Sequence, residues 1–222
     1  MRLLSVNLGR AKAVPYTDNP EGVTGIDKRP VEGPVRVSAP GPKGIGGSGL
    51  AGDAVCKRQH HGGDDQAVYA MAREDLDEWE RALGRPLADG AFGENLTTAG
   101  LDVSGALIGE RWRIGSGVVL EITCGRIPCM TFQGHLGEQR WVKRFTERGA
   151  PGAYLRVITP GEIRAGDPVE IVHRPDHDVT VALQFRAVTT HRELLPRLLA
   201  AGEALHPESL AAARKYTAEQ GG

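Results

Sequence analysis

Along the first three quarters of the chain, apolar residues come in short runs broken by glycine and proline. Residues 3–8, 35–38, 111–114, 118–123, 153–158 and 168–173 are rich in β-branched residues and bounded by Gly or Pro, which predicts short strands. ERWRI (110–114) and VVLEITC (118–124) are joined through Gly115-Ser116-Gly117, the pattern of an antiparallel hairpin. No strand–helix–strand alternation runs through this part. A closed or partly closed β-barrel is therefore expected rather than a parallel sheet. Two segments carry a different period. Over 66–83, Val68, Met71, Ala72, Leu76, Trp79 and Leu83 recur at the spacing of one helical face, with Gly84 and Pro86 beyond. A shorter basic helix is predicted over 139–148, stopped by Gly149 and Pro151.

After residue 173 the texture changes. RPDHD (174–178) is a polar break, and 181–190, 192–201 and 207–218 read as three short helices, the last with Pro207 in its first turn. Residues 179–181 fit a strand equally well. The expected architecture is thus mainly β (α+β): a barrel with interspersed helices over residues 1–175, and a small helical appendage over 176–222. Helices of about ten residues are marginal alone. These three should pack on each other, on the barrel or on a partner subunit, and a homodimer is the expectation.

Composition narrows the function classes. The 222 residues include 27 Lys plus Arg against 28 Asp plus Glu, so no bulk field favours a nucleic-acid polymer or an anionic membrane. The three cysteines, Cys56, Cys124 and Cys129, show neither zinc-knuckle nor disulfide-scaffold spacing, which points to a reducing compartment. No export signal and no run of eighteen apolar residues occur, so a cytoplasmic protein is expected.

Candidate chemistry lies in three stretches. In GRIPCM (125–130), Pro128 fixes the backbone beyond a strand and Arg126 favours a thiolate at Cys129, the form that attacks carbon or ligates a soft metal. A buried, inert thiol is the alternative, and it is the reading for Cys56 and Cys124. In KRQHHGGDD (57–65), adjacent histidines point to opposite sides of an extended chain and are poor co-ligands. Gly62 and Gly63 instead allow a tight turn into a helix capped by Asp64 or Asp65, a place where an anion or a simple loop fits. In GAFGENLTT (90–98), Asn95 offers a donor and an acceptor suited to a heterocycle edge, unless the stretch is only a turn.

Taken in order, HHGG, DQAVYA, FGENLTT, R-x-P-C, PGAYLRV and AGDPVEIV resemble the MOSC domain, most closely its stand-alone bacterial group with a three-helix tail. The resemblance covers nearly the whole chain. It implies a β-barrel that holds a molybdopterin-type molybdenum cofactor, with Cys129 as thiolate ligand to molybdenum. It also implies reduction of N-hydroxylated compounds, such as N-hydroxylaminopurine-type base analogues, as a detoxification. Asn95 matches a position near the metal, and Lys28, in GIDKRPV (25–31), one that anchors anionic groups or supplies a proton. His61, Arg126 and Arg156, with Glu94 and Thr97, become cofactor contacts. Gly125 and Asp64 depart from the family pattern, each standing where it has proline. No flavin or iron–sulfur motif is present, so a separate electron-donor reductase is implied. The competing expectation is a sulfur or cofactor carrier that uses Cys129 without turnover; a metal-independent cysteine hydrolase would lack an evident base.

Overall fold

The computed structural model describes residues 1–221. Twelve strands occur in chain order: β1 (Arg2–Gly9), β2 (Lys12–Ala13), β3 (Val23–Thr24), β4 (Lys28–Pro30), β5 (Val35–Val37), β6 (Val68–Ala72), β7 (Leu96–Ala99), β8 (Arg111–Ile114), β9 (Val118–Gly125), β10 (Ala153–Thr159), β11 (Gly161–Ile163) and β12 (Val169–His173). Eight of them form one sheet in the order β12-β8-β9-β10-β6-β7-β1-β4. The expected hairpin is β8–β9, in register from Arg111 opposite Glu121 to Ile114 opposite Val118. Among the described residues only β6 and β7 pair in parallel.

The sheet curls until its ends meet across a narrow seam. Leu3 N donates to Asp167 O at 2.9 Å, Gly166 N to Leu3 O at 2.8 Å and Val169 N to Met1 O at 3.1 Å. These bonds join Met1 and the start of β1 to Gly166, Asp167 and the first residue of β12, while β4 continues past the seam. The barrel is therefore partly closed, without a continuous ladder around it among the described residues.

The long helix expected over 66–83 is shorter than its periodicity suggests. Helix α1 spans Arg73–Leu83, and residues 68–72 form β6, buried at all five positions between β10 and β7. A strand covered on both faces is continuously apolar, so its residues fall on helical positions as readily as on strand positions. The expected acidic caps are also absent. Asp64–Gln66 is a 3-10 turn, with Gly63 at its start and no side-chain cap. Asp64 instead accepts a hydrogen bond from Gly41 N at 2.9 Å, and Asp65 pairs with Arg156 at 2.6 Å.

Two helices follow β9. α3 (Trp141–Arg148) lies within the basic helix predicted over 139–148, but α2 (Met130–Leu136) has no counterpart in the sequence reading. Gly134, which reads as a breaker, sits inside α2 because the helix passes close to another segment. A Cβ there would lie 2.5 Å from Tyr16 Cβ. The tail comprises α4 (Val181–Thr189), the short α5 (Leu195–Leu198) between 3-10 turns, and α6 (Pro207–Gln220). Thr180 caps α4, its Oγ1 accepting from Leu183 N at 3.0 Å, and also makes a single bridge to Leu107.

Two apolar clusters hold these elements. The barrel interior, with Leu3, Val6, Trp112, Leu120 and Ile122, is continuous with Val181, Leu198 and Ala213 of the tail. The second cluster is aromatic. Trp79 of α1, Phe92, Phe132 of α2, Trp141 and Phe145 of α3 and Phe185 of α4 are all buried together, with the Trp79 and Trp141 rings 4.4 Å apart. Aromatic pairs at these separations add to the burial energy. This cluster seats α2, and with it the residue that precedes it, Cys129.

Candidate functional site

The site is built around the exit of β9. The tail clamps that strand end: Gln184 Oε1 accepts from Gly125 N at 2.8 Å, Gln184 Nε2 donates to Ser209 Oγ at 2.9 Å, and His206 N donates to Thr123 O at 3.1 Å. Gly125 thus uses the N–H that a proline at this position would lack. From this anchored point Arg126 turns inward, Ile127 is exposed, and Cys129 takes the position before the first turn of α2. Its free thiol is half-buried on the wall of a cleft of about 730 Å³ counted to its open mouth.

Lys28, His61, Asn95, Arg126 and Cys129 all line this cleft. Arg126 is its most telling member. The residue is 7% exposed, and its guanidinium carbon lies 4.3 Å from the centre of the Phe132 ring and 5.2 Å from that of Tyr69. Yet among the described residues no protein group hydrogen-bonds or ion-pairs with it, and its Nε is buried with no partner. Buried arginines are nearly always paired. Burial works against its charge, but Tyr154, Tyr69, Cys129 and Glu94 together outweigh burial and hold it protonated. The other cationic side chains lining the cleft are matched: Lys57 faces Asp18 at 3.4 Å, and Lys28 pairs with Asp53.

His61 stands beside this cation. Burial first, then Arg126, His60 and Lys57, pulls its pKa down to about 4, so it is neutral at pH 7. Gly62 makes its placement possible. It has φ 77°, and a Cβ there would lie 2.5 Å from Gly47 O. Gly63 N donates to that same Gly47 carbonyl at 3.0 Å.

Asn95 lines the cleft but does not face it with free polar atoms. Its Oδ1 accepts from Tyr69 N at 3.2 Å, and its Nδ2 donates to Asp53 Oδ2 at 2.9 Å and to Asn7 O at 3.3 Å. The amide is spent on holding β1, β6 and Asp53 together, which corrects the expectation that it reads a ligand edge.

Three further expectations are corrected by position. Glu94 is fully buried, accepting from Gly90 N at 2.6 Å, Phe92 N at 2.9 Å and Thr97 Oγ1 at 3.0 Å. Thr97 is fully buried as well and also accepts from Asn7 Nδ2 at 3.0 Å. Arg156 lies outside the cleft, tied to Asp65, to Glu121 at 3.2 Å and to the carbonyls of Glu203 and Ala204 at 3.3 Å. All three shape the scaffold. Cys124 is buried in β9, its thiol pushed up to about 12 by burial. Cys56, also read as structural, lines the cleft, and burial raises its pKa.

Several cleft residues escaped the sequence reading. Gln66 and Tyr69 lie in DQAVYA and Tyr154 in PGAYLRV, so the motifs marked these segments without showing which side chains turn inward. Asp53, in the unremarkable stretch AGDAV, carried no signal at all. It enters through its contacts alone.

A curled β sheet with a helical tail, and an arginine-bearing cleft with a cysteine just past a strand end, are the features of a MOSC domain. The chain belongs to that family: the MOSC family model matches residues 57–170, which include His61, Asn95, Arg126 and Cys129 but neither Lys28 nor Asp53. MOSC domains are associated with the molybdenum cofactor. Within the family the chain is YiiM-like. The crystal structure of YiiM from Geobacillus stearothermophilus superposes with a TM-score of 0.75 at 25% identity, covering 96% of this chain and 97% of that one. YflK of Bacillus subtilis is 34% identical over 184 residues, 83% of this chain and 79% of that protein. A protein named "Reductase" from Gibberella moniliformis is 32% identical over 177 residues, 78% of this chain but only 29% of that much longer protein. No helix among the described residues is long and apolar enough to cross a membrane.

Proposed function

We propose that the cleft holds a molybdopterin-type molybdenum cofactor and that the protein is an oxidoreductase acting on N-hydroxylated small molecules, such as N-hydroxylaminopurine-type base analogues. The observation that carries this reading is Arg126, a buried guanidinium with no protein partner, facing the same cleft as a free thiol. Leaving a charge unpaired in a protein interior is costly, so its retention there fits an anionic ligand. The donor set suits the group. Cys129 offers the soft sulfur donor that molybdenum takes, Arg126 the counter-charge for an oxyanion, and Gln66 Oε1, also buried without a donor, an acceptor for a heterocycle N–H.

When bound, the cofactor supplies two-electron chemistry at molybdenum. The chain's own residues bind, orient and move protons. Arg126, flanked by Phe132 and Tyr69, is fixed in direction and attracts the anionic part of a ligand. His61, neutral at pH 7, offers a ring nitrogen without adding charge. Lys28 holds protons in the cleft. Tyr69 and Tyr154, with ring centres 5.0 Å apart, form a wall that limits water. Electrons come from a separate reductase. The relative named a reductase supports the oxidoreductase class, and the N-hydroxylated substrate rests on the family resemblance.

The test is elemental analysis of protein made in cells that synthesise the cofactor, followed by N-hydroxylaminopurine reduction with reduced methyl viologen. Stoichiometric molybdenum and turnover are expected in wild type, with both lost in Cys129→Ala. Metal held without turnover would favour a carrier, and no metal in either protein would overturn the reading.

A further inference from the structure

We propose that Asp53 is the positioning residue that holds Lys28 in the cleft as the proton donor to the hydroxyl oxygen leaving an N-hydroxylated substrate. The inference rests on the reduction proposed above.

The geometry around Asp53 is unusually complete for a residue in a loop. Its side chain is 1% exposed, and its carboxylate is approached from three elements. Gly9 N, at the end of β1, donates to Oδ1 at 2.8 Å; Asn95 Nδ2, just before β7, donates to Oδ2 at 2.9 Å; and Lys28 Nζ, at the start of β4, pairs with Oδ1. The backbone and amide donors fix the carboxylate, and the carboxylate fixes the lysine. Lys28 is itself 9% exposed at the side chain, and its Nζ has no other hydrogen-bond partner among the described residues. An ammonium carries three N–H donors. One is spent on Asp53, leaving two without a protein acceptor in a cleft that both residues line.

A stabilising role alone accounts poorly for this pair. Buried ion pairs give little net stability, and apolar side chains of similar volume usually do as well or better. Here both residues line the same cleft as Cys129 and Arg126, where a proton donor would meet a ligand. The charges facing Lys28 explain why it needs a partner. Burial is the largest influence and favours the neutral amine, Arg126 acts the same way, and Asp53 with Glu94 opposes them. The net direction is downward, toward an ammonium more ready to give up its proton than a solvent-exposed lysine.

The step balances as R–NHOH + 2 H⁺ + 2 e⁻ → R–NH₂ + H₂O. Lys28 passes a proton to the hydroxyl oxygen as the N–O bond breaks, and that oxygen leaves as water. The substrate nitrogen takes the second proton from solvent. Both electrons come from the external reductant, reduced methyl viologen in the assay. Asp53 keeps the neutral amine in place until solvent reprotonates it.

The experiment compares wild type with Asp53→Asn, which keeps the shape and removes the charge. The first readout is reductive methylation of Lys28 by formaldehyde and a borane, followed by peptide mass spectrometry on the full chain made without cofactor. Only the neutral amine reacts, so at a fixed pH below the Lys28 midpoint the variant should be methylated about tenfold faster, the least effect expected of removing a contacting opposite charge. The second readout is the pH profile of kcat in cofactor-loaded protein. Turnover needs protonated Lys28, so the alkaline fall in kcat should move to lower pH in the variant, with unchanged molybdenum content, and Asp53→Glu should recover part of the shift. Equal methylation rates and an unmoved profile would overturn the proposal. Should Asp53→Asn fail to fold, Lys28→Arg decides: it keeps the cation but does not release a proton, so kcat should drop about a hundredfold or more with molybdenum retained, and full activity would overturn the proposal. Wild type without molybdenum or turnover would defeat the reduction reading itself, while the methylation rates still report separately whether Asp53 holds the charge on Lys28.

Discussion

Arg126 is the residue on which the site turns, because its surroundings are those of a binding group and not of a structural one. A structural arginine such as Arg156 spends its guanidinium on Asp65, Glu121 and two carbonyls. Arg126 spends its own on ring faces only. The Arg126→Met variant separates the two roles. Removing an unpaired buried cation while keeping similar volume should leave the melting temperature of the cofactor-free protein unchanged or higher. Molybdenum retention should fall at least about tenfold, the effect of losing one charge-assisted contact of about 1.5–3 kcal/mol. A lower melting temperature with unchanged molybdenum would make Arg126 a scaffold residue. At this scale the sequence was informative about identity and silent about partners. Arg126, His61 and Cys129 could be singled out by motif, whereas Asn95 looked like a ligand reader and proves to be a three-way tie, because hydrogen-bond partners distant in sequence leave no local trace.

Helix α2 shows how an element is placed by its neighbours. It is seven residues long, below the length at which a helix holds itself, and carries a glycine at its middle. Phe132 and Leu136 in the aromatic cluster hold one face. On another side, Thr131 Oγ1 donates to Asp18 Oδ1 at 3.0 Å and lies 3.1 Å from Thr17 Oγ1. Gly134 is where Tyr16 crosses it. Gly134→Ala sets two effects against each other: about 1 kcal/mol gained in helix propensity, and about 1–3 kcal/mol of overpacking because Tyr16 Cβ and Cγ stand 2.5 and 2.8 Å from the new carbon. The clash should win. Denaturant titration is expected to show a net loss of stability, and molybdenum retention should fall as α2 shifts Cys129. A more stable variant would mean that the 16–19 segment yields freely. The same dependence on neighbours explains why β6 read as helix: propensity and period were compatible with either, and the partners on both sides decided.

For the molecule as a whole, the tail works as a brace for the site. Gln184 of α4 ties the end of β9 to α6, bonding Gly125 N and Ser209 Oγ together, next to the bond from His206 N to Thr123 O. Gln184 is 2% exposed, so cutting it back leaves a buried N–H without an acceptor. Gln184→Leu should cost about 1–3 kcal/mol in unfolding free energy, and it should also speed loss of molybdenum from loaded protein, because Arg126 and Cys129 follow Gly125 directly. Calorimetry and timed metal analysis would check both, and destabilisation with unaltered metal loss would confine the tail to a packing role. The tail was legible as a helical segment after a polar break, but over the expected helix 192–201 only Leu195–Leu198 is α-helical, between 3-10 turns. That the tail shares the barrel's apolar core and grips the strand leading to Cys129 was not legible, since those contacts link residues some sixty positions apart, as Gly125 with Gln184.

What the sequence determined by itself was local and ordered. Strand runs bounded by glycine, the β8–β9 hairpin, the family motifs in their order and the cysteine after Pro128 all follow from short-range chemistry that backbone and side chains impose within a few residues. The tertiary structure decided which of those residues share a cleft, which are spent on the scaffold and which lack a partner. Glu94, Thr97 and Arg156 left the site, Asp53 entered it, and Arg126 emerged as the unmatched charge. The physical reason is that burial and hydrogen-bond satisfaction are properties of residues brought together from distant parts of the chain.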